Sequence, residues 1–166
     1  KELVTASAIV CYSRPEAVNT VLIGAEDPEC DELEWAEDPD NYDRNFTDQW
    51  HTQVLREAQR VEGLELPSER KGLVDLYDCT PDWIPIYDKS SLPGFYMAVG
   101  TSGNQFKNAP VVGLLMSELI EKVEAGQDHD RDPVTFGMKY TGRTCDIGFF
   151  RRSREINPDS SFSVIG

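Results

Sequence analysis

The sequence contains no Gly-x-Gly-x-x-Gly and no Gly-x-x-x-x-Gly-Lys-Ser/Thr stretch. It therefore lacks the usual glycine-rich segments that hold the phosphates of a dinucleotide or a nucleoside triphosphate. Its cysteines form no Cys-x-x-Cys pair, and only two histidines occur, His51 and His129. This excludes the ligand spacing of a structural zinc site, and we assign no metal site. No apolar run approaches the roughly 20 residues of a membrane-spanning helix, so we expect none.

Basic residues are also scarce. The sequence has 16 Lys and Arg residues, only six of them Lys, and 30 Asp and Glu residues, which gives a net charge of −14 at pH 7. Such a surface repels phosphate backbones, so we expect no nucleic-acid partner. An acidic, lysine-poor composition suits a protein from a salt-loving source, and an ordinary acidic soluble protein is the alternative. The four cysteines, Cys11, Cys30, Cys79 and Cys145, are scattered along the chain. Scattered thiols fit a reducing compartment, so the expected location is the cytoplasm.

The first part of the chain predicts a pair of strands and a charged loop. Residues 7–13 and 20–24 are short apolar runs separated by an Arg-Pro-Glu stretch, which predicts a hairpin-like pair. Residues 26–43 contain ten acidic residues and no basic one. This favours a solvated loop, because a cluster of carboxylates cannot be buried unpaired. A calcium site is the alternative, although the residue spacing of a calcium-binding loop is absent.

The middle of the chain predicts a helix and an interrupted strand. Residues 45–61 carry apolar side chains at spacings of three and four, which predicts a helix capped by Asn45 or Thr47. Residues 71–88 are strand-like but contain two internal prolines, Pro81 and Pro85. Proline cannot donate to a central ladder, so this piece bends or lies at an edge.

The segment from 95 to 126 predicts a strand, a glycine-containing loop and a long helix. Residues 95–99 form a compact apolar run, and the helix over 109–125 has Pro110 near its start. Glycines allow backbone amides to approach a ligand closely, and a helix start adds partial positive charge. The loop thus favours an anion or the electron-rich end of a cofactor, and plain chain reversal is the alternative. Residues 127–132 are interpreted as a charged linker, and a polar tail follows.

Three blocks of residues carry a resemblance to a known family. They are GLVDLYDCTPDWIPI at 72–86, PGFYMAVGTSG at 93–103 and FKNAPVVG at 106–113. Their order and spacing closely resemble the C-terminal part of the FAD-dependent amine oxidoreductases, the D-amino-acid oxidase, glycine oxidase and sarcosine oxidase or dehydrogenase group. The Thr-Pro-Asp style of the first block resembles the sarcosine and dimethylglycine branch. The resemblance covers about residues 5–125.

The resemblance implies an α+β fold with three parts. Residues 1–94 would belong to an antiparallel-rich substrate-domain sheet with a flanking helix. Residues 95–126 would be the final strand and helix of the FAD-binding domain, an incomplete Rossmann-like part. Residues 127–166 would be the charged linker and C-terminal tail. The Rossmann segment that holds the FAD phosphates would come from an N-terminal part of the same protein.

The family also implies roles for individual residues. The loop residues that would contact the flavin are Gly100, Thr101, Ser102, Gly103, Asn104, Gln105 and Phe106. Lys107 matches a family lysine that pairs with the substrate carboxylate, and a solvated surface lysine is the alternative. Tyr77 is assigned to the substrate pocket, and a core position is the alternative. Thr80 and Asp82 are interpreted as fixing their own turn, and no residue is assigned a catalytic role. The chain departs from the family's Gly-His-Gly-Phe-Lys stretch, because Gln105 replaces its second glycine and adds a side chain near the cofactor.

The functional prediction is therefore part of a larger enzyme. The complete protein would bind FAD and oxidise the C–N bond of an amino acid or an N-methylglycine-type amine. This chain alone would be inactive, and apolar surface left uncovered would favour self-association. The alternative is a non-enzymatic binding or assembly module that retains the same piece of fold.

Overall fold

In this computed structural model, the structure describes residues 11–17, 19–25, 35–103 and 105–160. The chain divides into two compact units, Lys1–Leu76 and Tyr77–Gly166. The predicted divisions 1–94, 95–126 and 127–166 follow the architecture of the resembled family and stay predictions. No helix among these described residues is both long and apolar enough to cross a membrane.

The first unit contains a β-hairpin. β1 (Cys11–Glu16) pairs antiparallel with β2 (Thr20–Ala25), which confirms the predicted strand pair. Residues 7–10 of the first predicted strand lie outside the described residues. The Arg-Pro-Glu stretch that was expected to separate the strands belongs to β1 instead. A two-stranded sheet has two free edges, so Pro15 can lie in β1 although it has no amide hydrogen to donate.

One helix packs on this hairpin. α1 (Asp48–Ala58) contacts both strands. Thr47 caps the helix, because its Oγ1 accepts a hydrogen bond from the Trp50 amide at 3.0 Å. The buried face includes the polar residues Gln53 and Glu57, which the apolar spacing did not predict. Ser13 Oγ donates to Glu57 Oε1 at 2.8 Å, so this acid is hydrogen-bonded to the hairpin that covers it.

The second unit contains another hairpin and the long helix. β3 (Ile86–Lys89) pairs antiparallel with β4 (Tyr96–Val99), and α2 (Ala109–Glu124) follows. Pro110 lies in the first turn of α2, and Gly126 follows its end with a left-handed φ of 100°. The predicted strand and helix are confirmed. Of the strand-like stretch 71–88, only the part from residue 86 is a strand, since Pro81 and Pro85 interrupt the pairing before it.

Residues 127–160, here called the C-terminal segment, contain elements that the sequence did not predict. β5 (Thr135–Gly137) pairs antiparallel with β6 (Thr144–Asp146), and a 3₁₀ helix (Ile147–Phe150) follows. Val134 and Ile147 are fully buried together with Leu115 and Leu119 of α2. Because the segment is mostly polar, its sequence gives no sign that these two positions belong to the core. The segment therefore completes the hydrophobic core of the second unit.

A buried ion pair also attaches the C-terminal segment to β3. Asp88 has no exposed surface, and its Oδ2 accepts from the backbone amide and from Nη1 of Arg152, both at 2.8 Å. Fully buried His129 lies beside it, with Nε2 3.6 Å from Asp88 Oδ1. His129 Nδ1 accepts from the Val134 amide at 3.0 Å, which assigns the proton of the neutral ring to Nε2. Burial holds the pKa of His129 below its ordinary value, although Asp88 and Asp130 act to raise it.

The described chain thus has an α+β arrangement. It contains two α-helices, and its three sheets are small, two-stranded and antiparallel. This confirms the fold class predicted from the sequence.

Core truncation in the C-terminal segment is expected to destabilise the second unit. Ile147 has 0% of its surface exposed, so Ile147→Ala should cost about 2–5 kcal/mol of unfolding free energy through lost burial and a residual cavity. Ile156 is 60% exposed, and Ile156→Ala should change stability by less than ~0.5 kcal/mol. Urea unfolding of both variants measures the difference. Equal, small effects would mean that the segment does not share the core of α2.

Candidate functional site

The predicted cofactor residues lie in the loop that joins β4 to α2, residues 100–108. Gly100, Ser102 and Gly103 all have left-handed backbone conformations, with φ of 66°, 50° and 78°. Such conformations turn the chain sharply and favour glycine. A 3₁₀ helix, Phe106–Asn108, then leads directly into α2. Asn104 lies outside the described residues.

Asp78 holds the start of this 100–108 loop. Its Oδ2 accepts from the Gly100 amide at 2.8 Å, and its Oδ1 accepts from the Thr101 hydroxyl. The Asp78 carbonyl accepts from the Ser102 amide at 3.1 Å. Burial acts to raise the pKa of Asp78, but the hydrogen bonds from Thr101 and Gly100 outweigh it and hold that pKa below its ordinary value. Asp78 is therefore an ionised acceptor at neutral pH.

Thr80 packs directly against the same loop. A Cβ placed on Gly100 would lie 2.4 Å from Thr80 Cγ2, a distance that no real side chain tolerates. Position 100 therefore requires glycine for two reasons, its positive φ and the close approach of Thr80. Thr80 itself is buried, with 7% of its surface exposed. Its methyl group fills the space that any other residue at position 100 would need.

The Thr-Pro-Asp turn behind the loop is held by an arginine from the C-terminal segment. Arg154 Nη2 donates to Asp82 Oδ1 at 2.6 Å and Arg154 Nε donates to Oδ2 at 3.1 Å. These bonds from Arg154 lower the pKa of Asp82 to about 2, against the opposing effect of burial. Thr80 Oγ1 lies 3.2 Å from Asp82 Oδ1 and 2.8 Å from the Ile84 carbonyl oxygen, and either can accept its single proton. The interpretation that Thr80 and Asp82 fix their own turn agrees with these contacts.

Gln105, which departs from the pattern of the resembled family, is accommodated by contacts within the unit. Gln105 Oε1 accepts from Tyr87 Oη at 2.7 Å and from Asn108 Nδ2 at 3.0 Å. Tyr87 is almost fully buried, and burial raises its pKa to about 12, so it remains a hydrogen-bond donor. The side chain that the sequence adds is thus tied to the unit by its own amide oxygen. Sequence reasoning missed Tyr87 as its partner, because nothing local links residues 87 and 105.

Of the predicted residues, Gly100 and Ser102 are buried, whereas Phe106, Tyr77 and Lys107 are accessible. Phe106 is 96% exposed, Tyr77 is 50% exposed, and Lys107 lies exposed in the 3₁₀ helix. Lys107 forms no ion pair with any residue in the described part of the chain. No side chain caps the start of α2, and its first turn contains no acidic residue. Its partial positive charge is therefore not neutralised by a side chain at that end.

The features of this loop are compatible with contact to a planar cofactor ring. Gly100 is buried against Thr80 and its amide is bound by Asp78, so the loop offers instead an exposed glycine at Gly103, an exposed aromatic ring at Phe106 and a helix start of positive potential. A planar, electron-rich ring system can use all three. Across the described residues, no group of three or more His, Cys, Asp or Glu side chains could hold a metal ion.

Comparison with known proteins gives the family. A sequence model described as FAD dependent oxidoreductase matches residues 3–119, which is most of the chain. The chain belongs to this family. The match runs through the Thr-Pro-Asp turn and the 100–108 loop and ends within α2, and the α+β arrangement is compatible with part of an FAD-binding domain. No curated protein and no solved structure matches the chain significantly.

A substitution at Gly100 tests whether the loop depends on the Thr80 contact. Gly100→Ala is expected to destabilise the protein by about 1–3 kcal/mol more than Gly94→Ala, because it adds overpacking to a positive φ. Gly94 is the matched control, since it has a similar φ of 78° but nothing within 4 Å of its added Cβ. Thermal unfolding of both variants measures the costs. A Gly100→Ala protein as stable as the Gly94→Ala protein would show that the loop can move away from Thr80.

Proposed function

We propose that this chain forms the flavin-facing wall and part of the substrate pocket of an enzyme that oxidises the C–N bond of an amino acid or an N-methylglycine-type amine. The observation that carries the proposal is the 100–108 loop. The FAD dependent oxidoreductase match includes the loop, and Asp78 and Thr80 hold its start in a left-handed conformation. The sarcosine-like branch is supported by the Thr-Pro-Asp block and by the Phe-Lys pair at the loop's end.

Seven residues are proposed to hold the flavin ring and its side chain: Gly100, Thr101, Ser102, Gly103, Asn104, Gln105 and Phe106. FAD, when bound, supplies the two-electron acceptor for the oxidation. The start of α2 offers partial positive charge, which favours an electron-rich group there. The FAD phosphates are assigned to an N-terminal segment of the same protein, because the chain contains no glycine-rich phosphate loop.

Lys107 and Tyr77 are proposed to bind the substrate. Lys107 is an exposed ammonium group beside the loop, without a carboxylate partner in the described residues. A mobile point charge of this kind suits the carboxylate of an amino acid. Tyr77 presents a half-exposed ring directly before Asp78. Its position at the foot of the loop supports a role as an apolar wall of the pocket.

Flavin uptake is the first test of this function. The full-length gene product, including any residues that precede Lys1, is expected to purify with the visible absorption bands of flavin. Mixing it with N-methylglycine without oxygen should bleach those bands, because electrons pass to the flavin. A matched sample with an equal concentration of acetate should keep its bands. A colourless product that neither binds nor quenches added FAD would favour the non-enzymatic binding or assembly module.

Replacement of the lysine tests the carboxylate anchor. Lys107→Met should raise KM for N-methylglycine by about 10- to 100-fold with a smaller effect on kcat, because an ionic hydrogen bond is worth roughly 1.5–3 kcal/mol. Steady-state kinetics measure both constants. Lys139→Met removes an exposed lysine outside the matched region and should change neither constant. An unchanged KM in Lys107→Met would instead indicate an amine substrate whose carboxylate, if present, is bound elsewhere.

A further inference from the structure

Arg154 lies outside the region that matches the family, yet its side chain reaches the turn behind the 100–108 loop. The pair with Asp82 is buried, since Asp82 is 2% exposed and the Arg154 side chain is 13% exposed. Both guanidinium bonds to the carboxylate are formed in a side-on geometry. Two parallel hydrogen bonds from one guanidinium fix the orientation of the Asp82 carboxylate and also neutralise its charge.

Arg154 and Thr80 share two acceptors. Arg154 Nη2 donates to Asp82 Oδ1 and to the Ile84 carbonyl, each at 2.6 Å. Thr80 Oγ1 lies 3.2 and 2.8 Å from the same two atoms and has one proton to donate. If the guanidinium were removed, the Ile84 carbonyl would lose its shortest hydrogen bond and the buried Asp82 carboxylate would lose both guanidinium donors, although the Ile84 and Asn157 amides would remain. Both acceptors would then be held less firmly. Thr80 Oγ1 reaches both acceptors in its present rotamer, so Arg154 acts on Thr80 by fixing where these two acceptors lie.

The rotation of Thr80 in turn decides where its methyl group lies. Oγ1 and Cγ2 are attached to the same Cβ, so if the two acceptors shift and Oγ1 follows them by rotation about Cα–Cβ, the methyl moves as well. That methyl packs against Gly100, 2.4 Å from the position of an added Cβ. A path of direct contacts thus leads from Arg154 through Asp82 and Thr80 to the first residue of the loop.

We propose that Arg154 is a positioning residue for the 100–108 loop, which it holds in its ligand-ready conformation through Asp82 and Thr80. The consequences for FAD rest on the proposed function above, but the effect on the loop does not. The C-terminal segment then does more than complete the core, because it sets the conformation of a loop that lies about 50 residues earlier in the chain.

A second arginine of the same segment supplies the matched control. Arg152 donates to buried Asp88, with Nη1 2.8 Å from Oδ2. The other hydrogen bonds of the Asp88 carboxylate come from the Lys89 and Arg152 amides. Neither Asp88 nor Arg152 has a hydrogen bond to the turn at 80–84 or to the described residues of the 100–108 loop. Arg152→Ala therefore removes the same kind of buried pair without the path to Gly100.

The experiment compares Arg154→Ala with Arg152→Ala in the full-length gene product. Amide hydrogen exchange of a peptide covering residues 100–103 should become at least about tenfold faster in Arg154→Ala and stay near the wild-type rate in Arg152→Ala, at a temperature where both are folded. The FAD dissociation constant should rise by at least about tenfold in Arg154→Ala alone. Equal changes in the two variants would show a general loss of stability and overturn the proposal.

Two further variants keep the test decisive. Arg154→Lys keeps the charge and loses the side-on geometry, so it should show an intermediate exchange rate and replaces Arg154→Ala if that protein does not fold. Thr80→Val keeps the methyl and removes the hydroxyl, so Arg154→Ala should have a smaller effect on the loop in this background. An undiminished effect in Thr80→Val would overturn the path. If the wild-type protein binds no FAD, the proposed function fails, while the exchange rates still decide the role of Arg154.

Discussion

The conformation of the 100–108 loop depends on one close approach, the Thr80 methyl group against Gly100. The contact is possible only without a side chain at position 100, and Asp78, from the same short stretch as Thr80, also binds the loop. A carboxylate is suited to that task, since it accepts from several donors while it stays ionised. The loop therefore has its shape before any ligand arrives, and preorganisation of this kind lowers the cost of binding.

Arginine–aspartate pairs connect the C-terminal segment to the rest of the second unit. Asp82 and Asp88 are each nearly or fully buried, and each is bound by one arginine of that segment. A buried carboxylate without a partner would be strongly destabilising. Each of these two carboxylates therefore requires that the C-terminal segment, which supplies its arginine, packs over it. Although the protein has a net charge of −14, these two arginines pair with buried acids and not with acids on the surface. The two ion pairs and the two core residues, Val134 and Ile147, therefore hold the C-terminal segment in place.

The sequence predicted the elements whose signals are local. Pro110 and Gly126 bracket α2, and Thr47 caps α1, because proline, glycine and threonine act on their own turn of backbone. The interactions that hold the candidate site are not local. Arg154 and Asp82 are 72 residues apart, and no spacing rule joins them. Val134 and Ile147 were missed in a polar context for the same reason, since their burial is decided by α2 and not by their neighbours in sequence.

The position of Gln105 explains how the loop tolerates its departure from the family pattern. Its amide oxygen is satisfied by Tyr87 and Asn108, so the added side chain is held by the unit itself. Phe106 and Lys107 follow immediately and are exposed, as the proposed roles against a flavin and a carboxylate require. A glycine at position 105 would allow closer approach to a ligand but would leave Tyr87 Oη, buried and un-ionised at neutral pH, without this acceptor. The chain thus exchanges some access at position 105 for a hydrogen bond that satisfies the buried Tyr87 hydroxyl.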